Sequence, residues 1–283
     1  MGIALIVHGG AGKWPEMDRR SVEAMMDATK AGFDALRTRG SVEAVVTSIR
    51  RLEDSGCFNA GRGAIRNADG VRELDAGIME GGGFRAGCVG AVRDIENPID
   101  LAYRVLLDTD HVLIVGEGVN RLAERYGLGK TVSDIPGRGD EADTAGAVAI
   151  DETGRIAVGA STGGIQLKLA GRVGDSAIPG AGLYADDSLG GVALSGIGEH
   201  SMRTMAAFMA VQFMSREDPL SSLKVAMAAV KAKLGAYSLG GIAIDRRSRV
   251  AVFHNTSRMP TCFIKGDMQE PRFSNRHRRG FLG

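Results

Sequence analysis

A threonine at a loop–strand junction is the first residue whose type and setting could do chemistry. The polar, glycine-rich stretch Pro136-Gly-Arg-Gly-Asp-Glu-Ala-Asp143 runs straight into Thr144-Ala-Gly-Ala-Val-Ala-Ile-Asp151. Exposed polar loops of this kind are where chains are cut. Cleavage between Asp143 and Thr144 makes the threonine N-terminal. Its hydroxyl is then a nucleophile and its own α-amine the base, with no histidine or aspartate partner required. An α-amine titrates near ~8, within reach of neutral pH. Read alone, the same junction is also a plain threonine that starts a strand. A second pair lies downstream, where Gly171-Arg-Val-Gly-Asp-Ser176 sets Arg172 and Asp175 around a glycine. Such a turn can aim a guanidinium and a carboxylate into one pocket. A substrate carrying a free α-carboxylate and α-ammonium is gripped by that pair, the carboxylate through two parallel bonds from arginine. The other reading is a surface turn closed by an Arg–Asp ion pair.

Several other chemistries are excluded. His8-Gly-Gly-Ala-Gly12 has the glycines of a phosphate loop, but no Gly-Lys-Ser/Thr follows. His8, His111, His200 and His254 are scattered, unlike a metal-binding set. Cys57, Cys88 and Cys262 form no CxxC pair, so neither a zinc site nor a disulfide framework is expected. A formal net charge of +1 gives no pull toward nucleic acid or anionic membranes. No apolar stretch has the length of a membrane span. The first apolar run is too short, and lacks the basic flank, for a signal peptide, so a cytoplasmic protein is expected.

The elements that must position these residues follow from periodicity. Hydrophobic residues make up 44% and charged residues 24%, an ordinary globular balance. The 41 glycines gather in clusters, which mark tight turns or close backbone approach. Helical spacing predicts helices over 21–36, 41–52 with Ser41 as N-cap, 99–107 with proline at its start, 118–126, 201–214 and 220–234. Short apolar runs predict strands over 3–8, 74–79, 86–92, 112–115, 145–151, 155–161 and 192–195, and a hairpin from 241–245 and 250–253. The tail from Lys265, with Arg272, Arg276, Arg278 and Arg279, reads as loosely ordered and solvated. Each half thus carries helices and strands without strict βαβ alternation, which points to an α+β fold of two sheets between helix pairs.

The ordered set Thr144-Ala-Gly-Ala-Val-Ala-Ile-Asp, Ser161-Thr-Gly-Gly, Gly171-Arg-Val-Gly-Asp-Ser and Ile178-Pro-Gly-Ala-Gly-Leu-Tyr-Ala185 resembles the β-subunit of the isoaspartyl peptidase and plant-type asparaginase family of N-terminal-nucleophile hydrolases. His8-Gly-Gly-Ala-Gly12, Leu52-Glu-Asp54, Phe58-Asn-Ala-Gly-Arg-Gly63, Glu73-Leu-Asp-Ala76 and Gly116-Glu-Gly118 resemble its α-subunit. The resemblance spans nearly the whole chain except the last residues. It implies a four-layer αββα sandwich, one domain over 1–283 that cuts itself into 1–143 and 144–283. It implies Thr144 as nucleophile, Thr162 bonding near the new N-terminus, Ser195 and Gly196 as the oxyanion hole, and Arg172 and Asp175 holding the substrate's α-carboxylate and α-amine. Asn59 falls beside the nucleophile. Main-chain carbonyls among Leu52, Glu53, Cys57, Phe58, Ala60 and Arg62 would take a structural sodium ion, and no cofactor is required. Ser195 stands where the family has threonine, and the linker before Thr144 is short for the family. The implied reaction is hydrolysis of asparagine or of β-aspartyl dipeptides, by a dimer of αβ heterodimers with neither nucleic acid nor membrane as partner. A glycosylasparaginase-like amidase stays open through Ile165-Gln-Leu-Lys168 and Tyr184-Ala-Asp-Asp187. From another class, a non-catalytic glycine-rich binding protein that never processes also stays open.

Overall fold

The computed structural model describes residues 2–14, 16–129, 144–235, 237–275 and 280–281. In the first half β1 (Ala4–His8) precedes α1 (Arg19–Arg39), α2 (Ser41–Ser55), β2 (Leu74–Glu80), β3 (Ala86–Val92), α3 (Pro98–Asp108), β4 (Leu113–Val115) and α4 (Glu117–Arg125). The second half opens with β5 (Ala145–Ile150), β6 (Ile156–Thr162), β7 (Leu183–Asp186) and β8 (Gly190–Gly196). It continues through α5 (Gly198–Thr204), α6 (Ala206–Phe213), α7 (Pro219–Leu234), β9 (Leu239–Asp245), β10 (Val250–His254), β11 (Thr261–Lys265), β12 (Arg272–Ser274) and β13 (Gly280–Phe281). The fold is mixed α/β.

One sheet of eight strands runs β12-β11-β1-β5-β6-β2-β3-β4, and one of five runs β13-β10-β9-β8-β7. All pairs are antiparallel except β3 with β4. The two halves interleave: β5, which follows Thr144, lies between β1 and β6 in the middle of the larger sheet.

Strand alternation divides the core. In β1, Leu5 and Val7 join Met25 and Phe33 of α1 and Val45 and Ile49 of α2. Their neighbours Ala4 and Ile6 face the other way, joining Val148, Ile150 and Val158 with Ile242, Ile244, Val250 and Val252 of the smaller sheet. A third cluster packs Val192, Leu194 and Ala251 against Ala207 and Val211 of α6 and Leu223 and Val230 of α7. Each fully buried aliphatic side chain of this kind contributes roughly 1.5–3 kcal/mol.

Four sequence expectations are corrected. The helix expected over 201–214 is two, α5 and α6, because Met205 sits at φ 52° and breaks the turn. There the amides of Ala207 and Phe208 bond the carbonyls of Ala181 and Gly180, at 3.1 and 2.9 Å. Ser41 is the first residue of α2 and not its cap; Gly40, at φ 101°, holds that place. The tail is not a loose end throughout, since β12 pairs with β11 and β13 with β10. The strands β7 and β11 were not expected at all. The predicted cleavage loop 136–143, with Asp143, lies outside the described residues, as do Arg276, Arg278 and Arg279. Among the described residues no helix is long and apolar enough to cross a membrane.

Candidate active site

Thr144 is placed by the strand it precedes. Ala145 pairs with Ser161, and Asp75 pairs with Thr162 on the far side of β6. One step back along β5 brings Thr144 beside Thr162, on the face that looks toward the smaller sheet. Both threonines are buried. The Thr162 hydroxyl accepts the Gly164 amide at 2.9 Å, which fixes the turn at the end of β6.

Thr144, Thr162, Arg172, Asp175 and Gly196 line one small cleft with Gly164, Ile165 and Gly198. Two larger clefts, one around Asp108–Val112 and one around Arg39–Glu43, hold none of these residues. Gly196 ends β8 at φ 136°, and a side chain there would run into the Ser238 carbonyl. Its neighbour Ser195 turns its hydroxyl toward the amide of Ala11, which donates to it at 2.9 Å. The first glycine cluster thus bonds the residue that precedes Gly196, and Ser195 itself does not line the cleft.

The Arg172–Asp175 turn is not closed by an ion pair between them. The guanidinium binds Glu199 from the first turn of α5, with Nε and Nη2 at 3.0 and 2.8 Å from one carboxylate oxygen. Asp175 is buried, and its Oδ2 meets no hydrogen-bond partner among the described residues. Burial pushes its carboxyl up to about 6, against the opposing pull of Ser201 and Arg172. A buried carboxylate with a spare oxygen, close to an arginine, is equipped to receive an ammonium group.

Asn59 stands under the cleft and not in its lining. Its amide nitrogen donates to the Gly164 carbonyl at 2.8 Å, and its oxygen accepts from Ile65 at 3.0 Å. Its loop is the one matched to a sodium site. Leu52, Cys57, Phe58 and Ala60 are buried there, and Arg62 pairs with Glu96 at 3.1 Å. A Cβ built on Gly63 would overlap the Phe58 carbonyl oxygen and stand 2.9 Å from that of Gly56. Two carbonyl oxygens, those of Phe58 and Gly56, thus lie close to one point of the loop, and neutral oxygens are the donors a hard cation prefers. Glu53 is buried, with Oε1 accepting from Ile99 at 3.2 Å and Oε2 without a hydrogen-bond partner among the described residues. Burial raises its carboxyl well above the usual range, which favours the uncharged acid.

His8 ends β1 opposite Gly146, and a Cβ on that glycine would overlap its Nε2. Among the described residues neither ring nitrogen has a hydrogen-bond partner, and burial lowers its pKa to about 3. The Thr144 main chain faces the ring and offsets that shift only in part. Glu199, Lys168 and the Ala11 amide were not singled out as site residues by sequence. Glu199 lies in the first turn of α5, two residues before the helix start expected from sequence.

A threonine hydroxyl that shares one cleft with an arginine and a carboxylate can attack an acyl carbon of an amino-acid derivative. Comparison with known proteins agrees. The chain belongs to the asparaginase family, whose model (Asparaginase) matches residues 1–135 and 130–271. It is 38% identical over 282 residues to the plant-type L-asparaginase of Pyrobaculum calidifontis, covering 90% of this chain and 94% of the relative. The plant-type L-asparaginase of Pyrococcus horikoshii is 34% identical, over 95% and 98% of the two chains. The isoaspartyl peptidase/L-asparaginase of Xenopus laevis is 35% identical, over 93% and 92%.

Proposed function

We propose that this chain is a self-processing threonine amidohydrolase that converts L-asparagine to L-aspartate and ammonia and removes β-aspartyl residues from dipeptides. The observation that carries this reading is the convergence of Thr144, Thr162, Arg172, Asp175 and Gly196 on one cleft, from strands and turns far apart in sequence. The names of the relatives support the substrate class. The three apolar clusters, helix–sheet, sheet–sheet and sheet–helix, support an αββα sandwich of the N-terminal-nucleophile type.

The Thr144 hydroxyl attacks the Asp143 carbonyl, the Thr144 nitrogen leaves as an amine, and water hydrolyses the resulting ester. Segments 1–143 and 144–283 stay joined, because β5 and β6 are laced between β1 and β2. The freed amine then takes the hydroxyl proton as Thr144 attacks the side-chain amide. Backbone at Gly196, steadied by Ser195, faces the oxyanion. Ammonia or the amino leaving group departs, and water releases aspartate. Arg172 holds the α-carboxylate and Asp175 the α-ammonium. Carbonyls of the 52–63 loop would hold a structural sodium ion, which would be a charge anchor for the loop that carries Asn59. Two processed units pair as a dimer.

Intact mass and a substrate panel test the reading. Active protein should contain fragments of 143 and 140 residues (283 − 143 = 140), the second starting with threonine. Thr144→Ala should remain one chain and inactive. Turnover of asparagine and β-Asp-Leu, with glycosyl-asparagine poor, is the expected pattern. Full activity from an uncut chain would remove Thr144 from its role.

A further inference from the structure

The turn that carries Arg172 and Asp175 is exposed in part and contains Gly171 and Gly174, two residues of high backbone freedom. Something must hold it. The main chain and side chains at the start of β2 do so at three points. The Gly171 amide donates to Glu73 Oε2 at 2.9 Å. The Gly174 amide donates to Asp75 Oδ2 at 2.9 Å. Lys168, whose side chain is fully buried, donates from Nζ to the Glu73 carbonyl at 2.8 Å and lies 3.9 Å from Asp75 Oδ2. The two gripped amides flank Arg172 on either side in sequence. Asp75 is held in turn, its Oδ1 accepting the Ala91 amide at 2.8 Å.

We propose that Glu73, Asp75 and Lys168 form a buried bracket that positions Arg172 and Asp175 and so sets affinity for the amino-acid end of the substrate. The inference rests on the function proposed above for that pair. It gives work to Glu73-Leu-Asp-Ala76, a motif with no part in the chemistry. It also has a consequence for the cut protein. Glu73 and Asp75 belong to segment 1–143, and the turn they hold belongs to 144–283, so the clamp for substrate is assembled across the two segments.

Charge is suited to the task. Asp75 and Lys168 are both buried, and each is the other's nearest compensation. Burial raises the Asp75 carboxyl and lowers the Lys168 amine, while their mutual attraction opposes both shifts. Removing one partner leaves a buried charge unmatched, which is costly locally. The nearby guanidinium of Arg172 also favours the Asp75 carboxylate. None of the three bracket residues lines the cleft. They are positioning residues.

Two measurements on Asp75→Asn and Lys168→Met test this. Amide hydrogen exchange needs no substrate. In the bracket variants exchange over 168–175 should quicken by about ten- to hundred-fold, the range for loss of a charge-assisted hydrogen bond, while β5 and β6 keep wild-type rates. Steady-state kinetics on asparagine should show KM raised by a similar factor and kcat changed far less. Should Asp75→Asn fail to fold, Glu73→Ala removes the acceptor of the Gly171 amide alone on this turn and carries the same readouts. Wild-type exchange over 168–175 in a folded variant overturns the bracket. So does quickening spread equally over both sheets, or a fall in kcat with KM unchanged. A wild-type protein that does not turn over asparagine would instead overturn the proposed function, and exchange would still decide the bracket.

Discussion

Arg172 is held by Glu199, not by Asp175: both Nε and Nη2 point at a single oxygen of Glu199, at 3.0 and 2.8 Å. That leaves Nη1 on the side of Gly164 and Gly174, against the cleft wall. Glu199 therefore sets the plane of the guanidinium while donors remain for a carboxylate. Glu199 is partly open to solvent, so the pair is screened and its worth modest. Glu199→Ala should raise KM for asparagine by about three- to ten-fold with kcat nearly unchanged, a loss on the order of 1 kcal/mol. Steady-state kinetics at fixed ionic strength reads this. A wild-type KM would show that the guanidinium keeps its plane without Glu199.

The Asp175 carboxyl makes affinity and stability respond to pH in opposite senses. It must be ionised to hold an ammonium group. With its value at about 6 in the ligand-free protein, KM should rise as pH falls through that region. Stability moves the other way. The folded-state value lies above the unfolded 3.8, so the folded protein binds the extra proton between the two values. The stabilisation is full below the unfolded value and is lost as pH rises through about 6. Asp175→Asn should therefore raise the melting temperature at pH 7, by an amount equivalent to about 1–3 kcal/mol, while crippling substrate binding. Arg172 keeps Glu199 in that variant, so no cation is orphaned. A thermal scan that shows Asp175→Asn destabilised at pH 7 would refute the argument.

The sequence made some of this legible and hid the rest for physical reasons. Strands such as 145–151 and 86–92 were readable because burial on both faces leaves a short, continuous apolar run between polar or glycine-rich stretches. Thr144, Thr162, Arg172, Asp175 and Gly196 were readable as a set through ordered short motifs, and the cleft brings them together. The break at Met205 was not. Its cause is tertiary: two amides of α6 leave the helix for carbonyls at Gly180 and Ala181, and methionine at positive φ carries no local signal. The partnership of Arg172 with Glu199 was hidden for the same kind of reason. A carboxylate three residues away looked nearer in sequence than one brought back by β8 and α5. The strand β11 escaped because Thr261–Lys265 is a short run that ends where the polar tail begins, yet it supplies Cys262 and Ile264 to the core.

The last prediction concerns His8, the residue nearest Thr144 that could be mistaken for its base. The imidazole is fully buried, both nitrogens lack hydrogen-bond partners among the described residues, and burial brings its value to about 3. It is neutral through the whole range in which an α-amine titrates, so it cannot supply an ionisation near neutrality. Activity should therefore rise through one limb set by the Thr144 amine, and His8→Gln that has processed should keep that limb in place. Its effect appears in acid instead. The folded value lies below the unfolded 6.5, so the unfolded chain binds the extra proton, and stability present above about 6.5 is lost as pH falls toward 3. His8→Gln should remove that part of the acid lability. Melting temperature measured from pH 7 to pH 4 should fall less steeply in the variant, even if the variant is less stable at pH 7 because the ring's packing against Gly146 is lost. An activity limb that disappears with His8 would make the imidazole the base and take away the reason for regarding Thr144 as self-sufficient. An acid slope identical to wild type would show that the buried ring gains its proton without unfolding.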